Sequence, residues 1–216
     1  MSEFVDLSLQ LSDGTRALDP DPITFVNLYH TIEKDGYNLS QVIISSHVGT
    51  HIDAPKHFLE NGKTLDKFSL NNLIKKAILL DFSHKKAKEL ITRKEIEEFD
   101  EKIKPGLAVI IRTDWSKTFP SHEFGYDGPN VSTEAVEYFV EKEISILGVE
   151  PPTLNWEDNP NSHKKLLSAE ILLVEGLTNL GKIKTDAFKF YAIPLNIRDI
   201  DGFPVRAFAE VDDGGD

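Results

Sequence analysis

Alternating apolar and polar positions characterise the first part of the chain. They run from Phe4 to Leu9 and from Thr24 to Ile32, and each run predicts a strand with one buried face. The turn-rich segment EKDGYN then separates the second run from Gln41 to Ser46, which is rich in β-branched residues. We therefore expect a hairpin whose second strand leads directly into the segment that begins at His47.

Largely apolar runs mark the rest of the chain. They predict a buried strand at 76–82, another central strand at 107–111, a short strand at 144–149 and an apolar strand at 171–174. Two helices are expected between them. Thr92 and Glu95 form a capping box for a helix over 93–103, and Ser132 caps a helix over 133–143. Strands outnumber helices, which predicts an α/β (mixed α+β) fold with a mixed sheet or barrel-like core, covering helices and a single domain, 1–216.

The segment HVGTHIDAPKHF, residues 47–58, concentrates polar groups that packing alone cannot satisfy. Three of the seven histidines and an aspartate fall within twelve residues. Histidine and aspartate are rarely buried without partners. A metal ion is a partner that all four side chains could share.

The backbone of this segment must bend if its histidines are to share an ion. Gly49 and Pro55 oppose a helix, so the odd-numbered residues would lie on one side of a strand. A flat strand would separate the Cα atoms of His47 and His51 by roughly 13 Å, near the limit for two imidazoles on one ion. We expect Gly49 to supply a bend, through a bulge or a positive φ, and Pro55 to end the strand after Asp53.

A second segment offers further ligands. His163 would open a short helix, and Glu175 directly follows four apolar strand residues. A glutamate in that position is costly unless it is paired or coordinated, whereas a lone helical histidine is more often solvated. The residues alone leave both assignments open. His30 fits a structural role, and His84 and His122 fit solvated surface positions.

Composition limits the chemistry. The chain has 24 basic and 36 acidic residues, a net charge of −12, and no cysteine. Nucleic acids and anionic membranes are therefore not expected partners, and a metal would need nitrogen and oxygen donors. No basic segment followed by an apolar run occurs at the N-terminus, and no run of eighteen apolar residues occurs anywhere. We expect a cytoplasmic protein that spans no membrane.

The motif HxGTHxDxPxH resembles the signature of the metal-dependent cyclase family, which includes bacterial kynurenine formamidases and isatin hydrolases. The resemblance implies that His47, His51 and Asp53 bind metal and that His57 acts as acid or base. His163 and Glu175 resemble the family's second metal-binding segment. The swivelling β/β/α fold and a homo-oligomer, dimer or tetramer, are also implied.

These ligands suit one or two Zn²⁺ or Mn²⁺ ions, with Asp53 and Glu175 able to bridge two. The expected reaction is hydrolysis of an amide C–N bond in a small molecule, an arylformamide, cyclic amide or imide, by metal-activated water. Two departures from the kynurenine formamidase pattern stand out. Residues 17–20 read Ala-Leu-Asp-Pro where a tryptophan-containing loop is usual, and Glu150 replaces an aspartate.

Two other functions are compatible with the same residues. The histidine segment could hold a structural metal, or the chain could bind a small molecule without turnover. Phe58, Trp115 and Phe25 are candidates for an aromatic pocket, although aromatic residues more often lie in the core. The segment 116–131 could be a lid or ordinary surface loop.

Overall fold

The computed structural model describes residues 2–212. Its strands are β1 (Ser2–Asp6), β2 (Phe25–His30), β3 (Leu39–Ile43), β4 (His51–Asp53), β5 (Ile74–Asp81), β6 (Leu90–Ile91), β7 (Ala108–Arg112), β8 (Asn130–Val131), β9 (Ile146–Val149), β10 (Leu172–Glu175), β11 (Ala187–Tyr191), β12 (Gly202–Pro204) and β13 (Phe208–Asp212). Its α-helices are α1 (Ile32–Asp35), α2 (Leu70–Leu73), α3 (Arg93–Glu97), α4 (His122–Tyr126), α5 (Thr133–Glu141) and α6 (Asn159–Ser168).

One curled, nine-stranded mixed sheet organises the fold. Its strand order is β1-β13-β11-β5-β7-β9-β10-β4-β12. The central strands β5, β7, β9 and β10 are parallel, and the strands on either side pair antiparallel. The predicted mixed α+β class with a mixed, barrel-like sheet and covering helices is confirmed.

The central strands are apolar at residues 77–80, 108–111, 146–149 and 172–174, because both faces of the sheet are covered there. Val109 packs in one core with residues of α5 and α6, whereas its neighbour Ile110 packs in the other. Successive side chains of a strand point to opposite faces, so a stretch covered on both sides favours apolar residues at every position, and polar residues such as Glu175 occur at the strand ends. The burial of these strands, predicted from the apolar runs in the sequence, is therefore confirmed.

Element boundaries differ from the prediction most clearly at β1 and α3. β1 is Ser2–Asp6 rather than 4–9, because pairing with β13 fixes its register. The capping box of Thr92 and Glu95 forms as expected, but α3 ends at Glu97 and irregular turns continue the chain. These turns still bury Ile103, but the predicted helix length was wrong.

The predicted hairpin exists, but its sheet is separate from the main one. β2 and β3 pair only with each other, and β3 ends at Ile43 instead of running into the histidine segment. None of the residues of β2, α1 and β3 is buried. Among the residues that the structure describes, no helix has the length and apolar character needed to cross a membrane.

Candidate metal centre

The histidine segment reverses direction at Gly49. Gly49 has a φ of +65°, and the residues from 46 to 50 form turns and bends between β3 and β4. β4 ends at Asp53, and Pro55 starts a short 3₁₀ helix that carries His57. The expected bend and the strand end before Pro55 are confirmed. The expectation of one strand face was wrong, because His47 lies on a turn and His57 on a helix.

The second segment reaches the first through strand pairing. β10 runs antiparallel to β4, and the register places Glu175 opposite His51. α6 supplies His163, which is buried in the middle of the helix rather than at its start, since the helix begins at Asn159. The structure thus brings together all six residues proposed from the sequence.

Four of these residues form a buried group that we name the inner cluster: His51, Asp53, His163 and Glu175. Their exposed fractions are 2%, 0%, 2% and 3%. His51 Nε2 lies 3.4 Å from a carboxylate oxygen of Glu175 and 3.5 Å from one of Asp53. His163 Nε2 lies 3.4 Å from the other oxygen of Glu175 and 3.7 Å from the other oxygen of Asp53. Four donors therefore face one another at distances longer than good hydrogen bonds.

Backbone carbonyls orient both histidines of the inner cluster. Nδ1 of His51 lies 3.0 Å from the carbonyl oxygen of Gly49, and Nδ1 of His163 lies 2.9 Å from that of Asn159. A carbonyl only accepts, so each Nδ1 carries a proton and each Nε2 is directed at the carboxylates. Metal-binding histidines are held in this way.

Each carboxylate of the inner cluster has one buried oxygen without a hydrogen-bond partner in the described part of the chain. Within residues 2–212, Oδ2 of Asp53 and Oε1 of Glu175 are buried without a hydrogen bond. Burial lowers the pKa of His163, but Glu175 outweighs it, so the pKa is raised. Two buried carboxylate oxygens without hydrogen bonds and two oriented imidazoles make up a donor set of the kind that binds a divalent cation. These residues fit a divalent ion.

A second group, the outer cluster, consists of His47, His57 and Asp201. His47 Nδ1 lies 2.7 Å from Oδ1 of Asp53, and its Nε2 lies 2.7 Å from Oδ2 of Asp201. The rings of His47 and His57 are stacked with centroids 3.7 Å apart. Although burial alone would lower it, the carboxylates of Asp53 and Asp201 raise the pKa of His47 to about 10.

The sequence analysis missed Asp201. It lies 154 residues after His47, in a segment without histidine, and no spacing rule links the two. Gly202, the next residue, is the one local signal. A Cβ on Gly202 would lie 2.6 Å from Cε1 of His47, so this position must be glycine to admit the ring.

A cavity of about 400 Å³ opens onto both clusters. Besides the histidines and Glu175, it is lined by Leu18, Asp21, Pro22, Ser45, Ser46, Phe58, Pro152, Thr153 and Asn159. Of the three proposed aromatic residues, only Phe58 lines it. Phe25 is exposed on the hairpin, and Trp115 donates its indole N–H to the carbonyl of Phe124, outside the cavity.

The remaining histidines lie apart from this site. His30 pairs with Asp35 on the hairpin, and His84 and His122 are exposed. Residues 116–131 do not line the cavity. Part of the segment, residues 119–122 and 124–126, lines a neighbouring cavity of about 540 Å³ together with residues 12–19, and Leu18 borders both cavities.

The chain is similar to proteins of known family and fold. The family model described as "Putative cyclase" matches residues 5–156. A kynurenine formamidase of Bacillus thuringiensis is 28% identical over 209 residues, which cover 95% of this chain and 96% of that protein.

Solved structures show the same fold. An isatin hydrolase bound to the product analogue thioisatinate superposes with a TM-score of 0.88, 24% identity and coverage of 97% of this chain and 92% of that one. A predicted metal-dependent hydrolase of Bacillus stearothermophilus gives a TM-score of 0.82 and 25% identity, with coverage of 97% and 98%. A potential metal-dependent hydrolase with cyclase activity gives a TM-score of 0.82 and 26% identity, again covering 97% of this chain and 98% of that one.

Proposed function

The chain belongs to the cyclase family and is a metal-dependent hydrolase that cleaves an amide C–N bond, and from this premise we propose which residues perform the reaction. The observation that carries the proposal is the inner cluster, in which two oriented imidazoles face two unpartnered buried carboxylate oxygens. His51, Asp53, His163 and Glu175 are the proposed metal ligands there. His47, which also contacts Asp53, is the fifth.

We propose Zn²⁺ or Mn²⁺ as the ion, because the donors are nitrogen and oxygen and the site contains no sulfur. Asp53 belongs to two groups of converging donor atoms, one with His51 and Glu175 and one with His47 and His57. A carboxylate shared in this way can bridge two ions. One ion in the inner cluster, with a second beside His47, is therefore compatible with the geometry.

A divalent ion supplies Lewis acidity, which lowers the pKa of water and polarises a carbonyl group. The acid–base step falls to His57 in this proposal. His57 lines the cavity, and its ring is partly exposed beside the buried ligands. It takes a proton from the attacking water and passes it to the leaving nitrogen, a contribution of typically about 10²- to 10⁴-fold.

The proposed substrate is a small neutral amide: an arylformamide, a cyclic amide or an imide. Leu18, Phe58 and Pro152 give the cavity apolar walls for a ring, and Ser45 and Thr153 add hydroxyl groups. Leu18 lies in the loop that departs from the usual kynurenine formamidase pattern. We therefore propose these three classes of amide as candidate substrates and do not transfer the substrate of the kynurenine formamidases to this chain.

Elemental analysis of protein purified without added metal is the first test. We expect one or two equivalents of zinc or manganese in the wild type and a marked loss in both His51→Ala and Glu175→Ala. His84→Ala removes an exposed histidine elsewhere and should retain the metal. A wild type that contains no metal and binds none on titration would contradict the proposal.

Hydrolysis assays with simple formamides, cyclic imides and isatin form the second test. We expect metal-loaded wild type to cleave at least one class and His57→Ala to keep its metal while losing about 10²-fold or more in kcat. Full activity of His57→Ala would refute its role. Binding without turnover in the wild type would favour the alternative, a protein that retains the site only for binding.

We also propose a homo-oligomer, most simply a dimer, formed through the hairpin. Nine large apolar side chains of the hairpin are exposed, on both of its faces: Phe25, Val26, Leu28, Tyr29, Ile32, Tyr37, Leu39, Val42 and Ile43. An isolated two-stranded hairpin is marginally stable on its own, so its exposed apolar side chains favour a covering partner. A second copy of the chain is the proposed cover.

Light scattering after size-exclusion chromatography tests the oligomer. Leu28→Ser with Val42→Ser removes apolar groups from one hairpin face and should shift the wild-type mass towards a single chain. Leu70→Ser, an exposed leucine on α2, is the matched control and should not. A monomeric wild type would refute the proposal. We also propose that residues 1–216 form one domain and that the protein is cytoplasmic. Limited proteolysis tests the single domain, and cell fractionation tests the location.

A further inference from the structure

Asp201 lies beside both His47, a proposed metal ligand, and His57, the proposed acid–base residue. Its Oδ2 lies 2.7 Å from Nε2 of His47, 3.6 Å from Nδ1 of His57 and 3.4 Å from the hydroxyl of Ser46. Its side chain is 37% exposed, whereas that of Asp53 is fully buried. One carboxylate oxygen is thus approached by three polar groups, two of which are histidines with different proposed roles.

The backbone around Asp201 is fixed by the same sheet that carries the ligands. β12 begins at Gly202, which pairs with Asp53 of β4, and the carbonyl of Asp201 accepts the N–H of Ala54. Asp201 therefore cannot move independently of Asp53. A carboxylate on a fixed backbone can define the orientation of a ring that it contacts.

For His47, the contact resembles the support that metal-binding histidines receive. A ligating histidine usually donates its second ring N–H to a carboxylate or a carbonyl, which fixes the ring and its tautomer. His51 and His163 donate to backbone carbonyls, but His47 lies on a turn and has Asp201 instead. With Nε2 committed to Asp201, Nδ1 of His47 faces Asp53.

For His57, the contact selects which nitrogen faces the reaction. Nδ1 faces Asp201, so Nε2 is the nitrogen left for proton transfer. Within residues 2–212, no side-chain hydrogen bond other than this long approach to Asp201 orients the ring, which is otherwise held by stacking on His47 and contact with Phe58. A base oriented by a third group is a common arrangement in catalytic sites.

We propose that Asp201 is a positioning residue that orients His47 for metal binding and His57 for proton transfer. It thereby links a proposed metal ligand to the proposed acid–base residue. The part that concerns His57 rests on the proposed hydrolase function. The part that concerns His47 requires only that the site binds a divalent ion.

The first test measures metal affinity and needs no activity. Zn²⁺ and Mn²⁺ dissociation constants would be determined by competition with a chromogenic chelator. We expect Asp201→Ala to weaken binding about 10- to 100-fold, as loss of such a supporting group does. Asp201→Asn keeps an oxygen acceptor and should weaken it less.

Asp199→Asn is the matched control for the loss of one negative charge. Asp199 is exposed in the same loop with a φ of 60°, a conformation that asparagine tolerates, and it does not contact the histidines. Its metal affinity should stay within about twofold of wild type, since exposed charges are screened by salt. Unchanged affinity in a folded Asp201→Ala protein, or an equal loss in Asp199→Asn, would overturn the role towards His47.

The second test uses two substrates that differ in leaving group, with metal at saturation. Formanilide releases a poor leaving group that needs a proton, whereas 4-nitrophenyl formate releases a good one. If Asp201 orients His57, Asp201→Ala should lower kcat for formanilide about tenfold or more, with little change in KM, and lower kcat for the ester far less. An unchanged kcat for formanilide in the metal-saturated Asp201→Ala protein would overturn the role towards His57.

A double variant separates this role from a general disturbance. Once His57 is alanine, adding Asp201→Ala should cost no further formanilide activity, because the two residues act as a unit. Additive losses would contradict the proposal. If the metal-loaded wild type cleaves neither substrate, the hydrolase proposal and its His57 part fail together, and the affinity measurements alone decide the role of Asp201.

Discussion

At the scale of single residues, Thr50 joins three separate segments of the site. Its hydroxyl accepts the N–H of Leu9 at 2.8 Å and donates to the carbonyl of Gly176, next to Glu175, at 2.6 Å. Its backbone carbonyl accepts the N–H of Val205. Thr50 is 2% exposed, so water cannot replace these partners.

Thr50→Val therefore tests the hydroxyl alone, since valine keeps the shape of threonine. We expect the free energy of unfolding to fall by about 1–3 kcal/mol, because a buried N–H and a buried C=O each lose a partner. Urea denaturation measures this change. Thr50→Ser retains the hydroxyl and should lose less; equal losses in both variants would show that the hydroxyl is not responsible.

Glu150 is the second buried residue with a measurable consequence. It is 1% exposed and accepts the backbone N–H groups of Thr113 and Trp115 and the hydroxyls of Thr113 and Ser116. Burial raises the pKa of Glu150 above its ordinary value of 4.5, and the hydrogen bonds from Thr113 and Ser116 offset this only in part.

The raised pKa predicts how stability depends on pH. Between pH 4.5 and the raised pKa, the folded state holds a proton that the unfolded state has released. The resulting stabilisation is fully present below pH 4.5 and is lost as the pH rises through the folded pKa. Relative to Glu150→Gln, which does not titrate, wild type should thus be more stable at pH 4 than at pH 8. Parallel urea curves with no change in the difference would contradict this.

At the scale of elements, the turn before β4 positions His47 relative to His51. Gly49 has a positive φ, and a Cβ there would lie 2.5 Å from a methyl carbon of Leu11. Gly49→Ala therefore introduces strain in two ways: alanine disfavours the positive φ, and its Cβ would lie too close to Leu11. We expect about 1–3 kcal/mol lower stability and weaker metal binding, because the turn must shift.

The matched control is Gly14→Ala. Gly14 also has a positive φ, but a Cβ there would meet nothing within 4 Å. It should share the backbone cost without the loss of metal affinity. If Gly14→Ala weakens metal binding as much as Gly49→Ala, the turn before β4 is not the cause. Chemical denaturation and metal titration of the two variants give the comparison.

The elements also show which sequence signals were sufficient. Apolar runs identified the central strands because burial on both faces leaves a direct trace in composition. The capping box located the start of α3, but its end depends on packing, and the last predicted turns are irregular. Alternation in the hairpin predicted strands correctly, yet could not show that β2 and β3 pair outside the main sheet.

At the scale of the whole molecule, the site is assembled from segments far apart in sequence. Spacing predicted the local bend at Gly49, and the family resemblance supplied His163 and Glu175 with their roles. Asp201 could not be predicted, because its contact with His47 depends on β12 pairing with β4. Pairing between strands far apart in sequence leaves no periodic signal. From the sequence alone, Asp201 therefore cannot be distinguished from other aspartates in loops.

Because the proposed ligands lie on β4, α6 and β10, a bound ion would cross-link the fold as well as serve the proposed reaction. An ion that binds only the folded state at about 100 times its dissociation constant adds about 2.7 kcal/mol of stability. For a chain of this size that corresponds to roughly 5–10 °C in Tm. We expect chelator-treated wild type to unfold lower by this amount and to recover when Zn²⁺ or Mn²⁺ is restored. Glu175→Gln keeps the shape of the ligand but not its charge, so chelator should move its Tm little. Identical Tm values for chelated and reloaded wild type would mean that the inner cluster does not bind the ion in the folded protein.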